Sequence, residues 1–266
     1  MDIIHRNNIH VIGNLNAPST LILNHGFGLD QTCFKDIIPA FEQDYKIVLF
    51  DNVGGGKSDI NAFSPKRYET INGYATDLAE IITALELSNI NYLGHSVSGM
   101  TGVLTYTHYP ERFSKLMLLG SSPRYLNEPT TNYVGGFDIP TLNSLFEAME
   151  NNYHAWAAGF AKAVMRHEDK PELAEEFARN LEKIRQDIAI VVAKAIFYLD
   201  HRFELPKIHV PTLVMQTAED IAVPAVVSEY MEAHIPDCRR IKIHTEGHFP
   251  QITAPHEVIA AIQSFL

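Results

Sequence analysis

Cysteine is scarce in this chain, tryptophan scarcer, and no run of about 18 apolar residues occurs anywhere. The two cysteines, Cys33 and Cys238, make neither a disulfide framework nor a metal-ligand set, so a reducing compartment is expected. Without a long apolar run there is no candidate membrane span. The opening MDIIHRNNIH also lacks the basic-then-apolar order of a secretion signal, and a cytoplasmic location is expected. Positive charge is short as well. Lys and Arg number 21 against 32 Asp and Glu, a formal net charge of -11 with no basic patch, which argues against nucleic acid or an anionic membrane as partner. Repeats and low-complexity segments are missing too. What remains is 266 residues, 46% hydrophobic and 20% charged, enough for a large domain that needs no staples.

Short, nearly continuous apolar runs recur at TLILNHG (20–26), KIVLFD (46–51), INYLGHS (90–96), KLMLLGS (115–121) and TLVMQT (212–217), with RRIKIH (239–244) after them. Such runs suit strands buried on both faces, as in a parallel sheet covered by helices. Helical patterns alternate with them: CFKDIIPAFEQ (33–43), then INGYATDLAEIITALEL (71–87), where Tyr74, Leu78, Ile81, Ile82 and Leu85 share one face. The expected class is therefore α/β, with a mostly parallel central sheet flanked by helices. After Pro123 the rhythm changes. From Arg124 to about Asp200 only helical patterns appear, broken near HEDKP and around Arg185 to Asp187. The expected division is a core of residues 1–123 and 201–266 with an all-helical cap, 124–200, inserted over the strand C-terminal edge, where ligands bind in open α/β sheets.

The stretch NYLGHSVSGM places Ser96 where an apolar strand meets a helical pattern. A serine hydroxyl becomes a useful nucleophile only with a base, a group that orients the base and donors for the oxyanion. The strand-turn-helix context is that of a nucleophile elbow, G-x-S-x-G, with Gly94 and Ser98 as the small flanking residues; Ser98 departs from the usual glycine, and Gly99 follows it. Chain order then points to Asp220, just past the run TLVMQT, and to His248 in HTEGHFPQ after the last strand. The oxyanion donors expected are the backbone N–H groups of Val97 and of Phe27, the latter in HGFG. Among 13 histidines the serious rivals for the base are His25 and His95, and Asp51 rivals Asp220. His25 is expected to hold the HGFG loop. GGGKS (54–58) is not a phosphate loop, because Asp51 stands where its first glycine would be, and no metal-ligand cluster is evident.

Taken together, NHGFGLDQTCF, VLFDNVGGGKSD, YLGHSVSGM, SSPRYLN, GGF, NNYHAWAAGFA, EDIAVPAVVSEYM and EGHFPQ resemble the RsbQ-like branch of the α/β-hydrolases, which holds bacterial stress-signalling hydrolases and plant karrikin and strigolactone receptors. The likeness spans nearly the whole chain, and VGGGKSD and GHSVS are its most specific parts. It implies Ser96, Asp220 and His248 as a triad, Phe27 and Val97 at the oxyanion, and a V-shaped cap of four helices. It further implies a substrate-binding wall of Phe27, Tyr125, Phe137, Trp156, Phe160, Phe177, Phe197, Ile221 and Ala222; His95 is placed with them, although beside Ser96 in a tight turn its side chain is expected to point elsewhere. The implied activity is hydrolysis of a small apolar ester or lactone of butenolide type, without cofactor or metal. The alternative is a slow-turnover ligand sensor that recruits a protein signalling partner.

Overall fold

The computed structural model describes residues 2–266. A single helical turn, α1 (Ile3–Arg6), precedes β1 (His10–Gly13), β2 (Thr20–Asn24) and β3 (Lys46–Phe50). Then come α2 (Asn72–Ala84), β4 (Ile90–His95), α3 (Val97–His108) and β5 (Phe113–Leu119). Four helices follow in succession: α4 (Ile139–Asn151), α5 (Tyr153–Met165), α6 (Pro171–Lys183) and α7 (Gln186–Phe197). The chain closes with β6 (Thr212–Glu219), α8 (Ala225–His234), β7 (Cys238–Glu246), α9 (Pro250–Thr253) and α10 (Pro255–Gln263). The strands form one sheet in the order β1-β3-β2-β4-β5-β6-β7, parallel throughout except where β1 meets β3.

Alternation along the strands divides the core in two. Leu21, Leu23, Leu93, Met117, Leu119, Leu213 and Met215 face one side and pack with Phe34, Ile37, Phe41, Val258 and Ile262. Ile22, Tyr92, Leu116, Leu118 and Val214 face the other and pack with α2, α3 and the four-helix layer. Because both faces are covered, β2 and β4 are buried at every residue, which is why they read as unbroken apolar runs. Each fully buried aliphatic side chain contributes about 1.5–3 kcal/mol.

Three expectations change. The helical pattern of residues 33–43 forms only short 3-10 turns, Gln31–Phe34 and Ile38–Ala40. Pro39 removes a helical donor, and the three-residue turn still brings Phe34 and Ile37 onto the sheet. Strand β1 has no apolar signal because it lies mostly exposed at the edge, paired to β3 from His10↔Leu49 to Gly13↔Lys46. The segment that follows Pro123 holds no α-helix before Ile139, against expectation, but the bridges Leu126↔Phe137 and Glu128↔Tyr133 and the 3-10 turn Pro129–Thr131; its helical part divides at Asn152, whose side chain accepts the Ala155 N–H at 3.1 Å and so starts a new helix. Its entry and exit meet in a bridge between Arg124 and Asp200, reinforced by their ion pair. No helix among the described residues is long and apolar enough to cross a membrane.

The contact between β4 and α3 is close. A Cβ on Gly102 would lie 2.1 Å from the Tyr92 ring, so only glycine lets the helix down onto the strand. The buried Tyr92 hydroxyl donates to the Ser98 carbonyl at 2.6 Å and accepts from Asn24 Nδ2 at 3.0 Å. Tyr92→Phe strips the buried Asn24 Nδ2 of its partner and the Ser98 carbonyl of its second donor, and is expected to lower stability by about 1–3 kcal/mol in urea denaturation; an unchanged midpoint contradicts this account.

Candidate active site

Ser96 follows β4 and precedes the first turn of α3, with φ +57° and ψ −128°. That conformation is uncommon for a side chain with a Cβ, and here the surroundings enforce it. The Ser96 N–H donates to Leu119 O at 2.8 Å, and its carbonyl accepts from the Gly99 N–H at 3.0 Å. Gly94 is required because a Cβ there would meet Ser98 O at 2.5 Å and Gly99 N at 2.6 Å, both backbone atoms. Ser98 serves in place of glycine by turning its hydroxyl outward to His25 O, 2.6 Å away. The sharp turn presents the Ser96 side chain beyond the strand end.

His248 reaches Ser96 from the loop after β7. Its Nε2 lies 2.8 Å from Ser96 Oγ, and its Nδ1 lies 2.6 Å from Asp220 Oδ2. The other carboxylate oxygen, Oδ1, accepts the N–H groups of Ala222 at 2.8 Å and Val223 at 3.2 Å. Both oxygens are thereby occupied, and the carboxylate is fixed against the imidazole in the line of a serine triad. All three side chains are buried. The loop holding Phe27 runs directly alongside, since a Cβ on Gly26 would sit 2.9 Å from Ser96 Cβ. The Val97 N–H is the first of α3, with no earlier carbonyl in the helix to receive it. Both expected oxyanion donors thus flank the serine.

The rivals have other occupations. Asp51 accepts the Gln31 N–H at 3.0 Å, the Lys57 N–H at 2.8 Å and Asn8 Nδ2 at 2.8 Å, which consumes its carboxylate in organising the loops around Gly54–Ser58. His25 donates from Nδ1 to Gly26 O at 2.8 Å and accepts the Asn52 N–H on Nε2 at 3.0 Å, an arrangement only a neutral ring can make. His95 donates from Nε2 to His248 O at 2.8 Å, while its buried Nδ1 has no protein partner. His95 is therefore a support behind His248, and its place in the substrate-binding wall is corrected: a ring bonded to the back of the histidine loop does not face the cavity.

A chamber of about 30 Å³, room for one or two waters, lies over Ser96 and His248. Phe27, Tyr125, Phe160, Phe177, Phe197 and Ala222, all named from the sequence, line it together with Ile196 and Phe249, which were not. Adjacency was the available signal for both: Phe249 follows His248, and Ile196 precedes Phe197. Three other candidates lie elsewhere. Phe137 packs edge-on against Phe197, with ring centres 5.1 Å apart, Trp156 stacks between Tyr153 and Phe160, and Ile221 is exposed beside the end of α5. The Tyr125 hydroxyl is buried beside the Ser96 side chain, and burial keeps it protonated by raising its pKa.

Burial holds His25 below its ordinary pKa of 6.5, and burial together with the nearby His248 ring holds His95 well below it. Below about pH 6.5 the unfolded chain therefore binds protons on these rings that the folded chain refuses. Stability present above that pH is lost as pH falls, by up to about 1.4 kcal/mol per pH unit for each ring. Urea unfolding at pH 7.5 and 5.5 is expected to show the loss; equal stability at both contradicts it.

Comparison with known proteins agrees with this architecture. Residues 19–255 match the α/β hydrolase fold family. A strigolactone esterase of Arabidopsis thaliana is 41% identical over 97% of this chain and 95% of its own length. A karrikin insensitive 2 receptor of Petunia hybrida is 40% identical over 96% of this chain and 93% of its own. A hydrolase from Oleispira antarctica superposes with a TM-score of 0.95 at 36% identity, covering 99% of this chain and 96% of its own. The chain belongs to the α/β hydrolase fold family.

Proposed function

We propose that this protein is a serine hydrolase cleaving a small apolar ester or lactone, with residues 124–200 acting as a cap over the site. The observation that carries the reading is the unbroken line of hydrogen bonds from Ser96 through His248 to Asp220. In this mechanism His248 Nε2 takes the hydroxyl proton as Ser96 Oγ attacks the carbonyl carbon. The developing oxyanion is received by the Val97 and Phe27 N–H groups, and Asp220 stabilises the imidazolium. Collapse expels the alcohol, which takes the proton from His248, and leaves an acyl-Ser96. In a lactone the alcohol stays tethered to that acyl group. Water, activated by the same histidine, then releases the acid. Every step uses side chains and backbone of this chain, so no cofactor is invoked.

Substrate class follows from the walls and from the relatives. Aromatic and aliphatic side chains dominate the chamber, and the Tyr125 hydroxyl, beside Ser96, is the polar group that the wall adds to the triad. Similarity to a strigolactone esterase makes a butenolide lactone the first compound to try. The chamber is too small for one as it stands. A second space of about 30 Å³ lies on the far side of Phe27 and Ile196, so displacement of these two side chains is the proposed source of room.

A second reading is supported by the similarity to a karrikin receptor: a ligand sensor in which turnover is slow and the cap surface recruits a protein partner. The two differ in stoichiometry. With a synthetic butenolide and a short p-nitrophenyl ester, the hydrolase reading expects many equivalents of product per protein, and Ser96→Ala is expected to lower turnover by about ten-thousand-fold or more. Product that stops near one equivalent, with the ligand raising the melting temperature, favours the sensor. Equal turnover by wild type and Ser96→Ala defeats both uses of the triad.

A further inference from the structure

The last turn of α5 ends on an unusual residue. Arg166 has φ +54° and ψ +31°, the left-handed position that glycine ordinarily fills at a helix end. A side chain held in that conformation needs a compensating role, and the contacts of this one supply it. Its Nη2 lies 2.6 Å from Glu219 Oε2, and its Nε lies 3.2 Å from Glu246 Oε2. The two carboxylates belong to the two loops of the proposed triad: Glu219 immediately precedes Asp220, and Glu246 stands two residues before His248.

Glu219 and Glu246 are also register partners at the end of the β6–β7 ladder, and the Gly247 N–H donates to Glu219 O at 2.7 Å. Like charges side by side on neighbouring strands push the strands apart. They do so here at the point where the chain turns into the residues that orient and carry the proposed base. Immediately before Arg166, the backbone of the same segment holds the histidine loop directly, Val164 O accepting the His248 N–H at 2.8 Å.

We propose that Arg166 is a positioning residue, whose guanidinium bridges Glu219 and Glu246, offsets their repulsion and so keeps the Asp220 and His248 loops in register with the end of α5. The proposal rests on the hydrolase reading for its consequence, since it makes the reach of His248 to Ser96 depend on where the helical layer sits. Its energy is local. Partly exposed ion pairs contribute little to global stability, so the effect falls on geometry and not on melting temperature.

Arg166→Gly separates the two, because it removes the guanidinium while relieving the left-handed strain. The variant is expected to melt at or above the wild-type temperature yet react with a fluorophosphonate at Ser96 about 10-fold more slowly. Adding Glu219→Gln, which removes the repulsion, is expected to restore the rate to within about 2-fold of wild type. A wild-type labelling rate in Arg166→Gly overturns the proposal, and so does a slowed rate that Glu219→Gln does not repair. If wild type itself fails to label, the hydrolase reading falls, and the low-field proton resonance of the His248–Asp220 hydrogen bond then decides the role of Arg166. That signal is expected to broaden in Arg166→Gly and return in the double variant; identical spectra in all three proteins overturn the role.

Discussion

His248 is held at four points by three parts of the chain, the end of β4 supplying two of them. Its ring joins Asp220 after β6 to Ser96 after β4, its N–H donates to Val164 at the end of α5, and its carbonyl accepts from His95 beneath. Sheet, histidine loop and helical layer therefore converge on one residue. The consequence is mechanical: a base placed by four hydrogen bonds has little freedom to miss its partner, which is the preorganisation that proton transfer to and from a serine requires. The buried neutral His95 fits the same logic. With its Nε2 proton committed to a carbonyl it stabilises the loop without adding a second positive charge beside the imidazolium that the proposed chemistry creates.

The second constraint is the backbone at Ser96. A positive φ at a non-glycine residue is sustained only where neighbours leave no alternative, and here they are Gly94 below, Leu119 O alongside and the start of α3 beyond. The same turn that strains Ser96 also leaves the Val97 N–H facing outward at the helix start. Strain and oxyanion donor are thus two results of one change of direction. Ser98 completes the arrangement: its hydroxyl bonds back to His25 O, tying the HGFG loop to the elbow. The departure from the usual glycine adds a tether where a hydrogen atom would have added nothing.

Much of this was legible because the relevant residues sit in places where sequence and geometry coincide. Strands buried on both faces announce themselves as apolar runs, and residues that end such runs lie together at one sheet edge, so Ser96, Asp220 and His248 could be named in order. Strand β1 was invisible because an exposed edge strand needs no apolar residues. The walls were half legible for a different reason. A helix buries aromatic residues on several sides, and only the packing of helices decides which side meets the cavity: Phe160 and Phe177 reach it, while Trp156, one turn before Phe160, stacks on Tyr153 and Phe160 instead. His95 was placed in the wall against its own context, since adjacency to Ser96 in a sharp turn already sends the two side chains in different directions. Arg166 could not be found at all, since nothing in VMRHE marks a left-handed residue or the carboxylates it will meet.

Space is the remaining constraint on the site. The chamber over Ser96 holds one or two waters, so any organic ligand must gain its volume by displacing protein. The sheet cannot give way, because its strands are buried on both sides and close-packed cores resist displacement. The helical layer is fastened at its root by Arg124 with Asp200 and at the end of α5 by Arg166 with Glu219 and Glu246. Between these fastenings lies the joint of α6 and α7, where Ile184 and Arg185 are extended and no helical hydrogen bond is lost by bending. Ile196, on α7 beyond that joint, is one of the two residues dividing the chamber from the neighbouring space. Gln186, the first residue of α7, is itself bonded to the Met149 and Glu150 carbonyls of α4, so room for a ligand comes at least cost from side chains such as Ile196, with the end of α5 left in place so that His248 keeps its support.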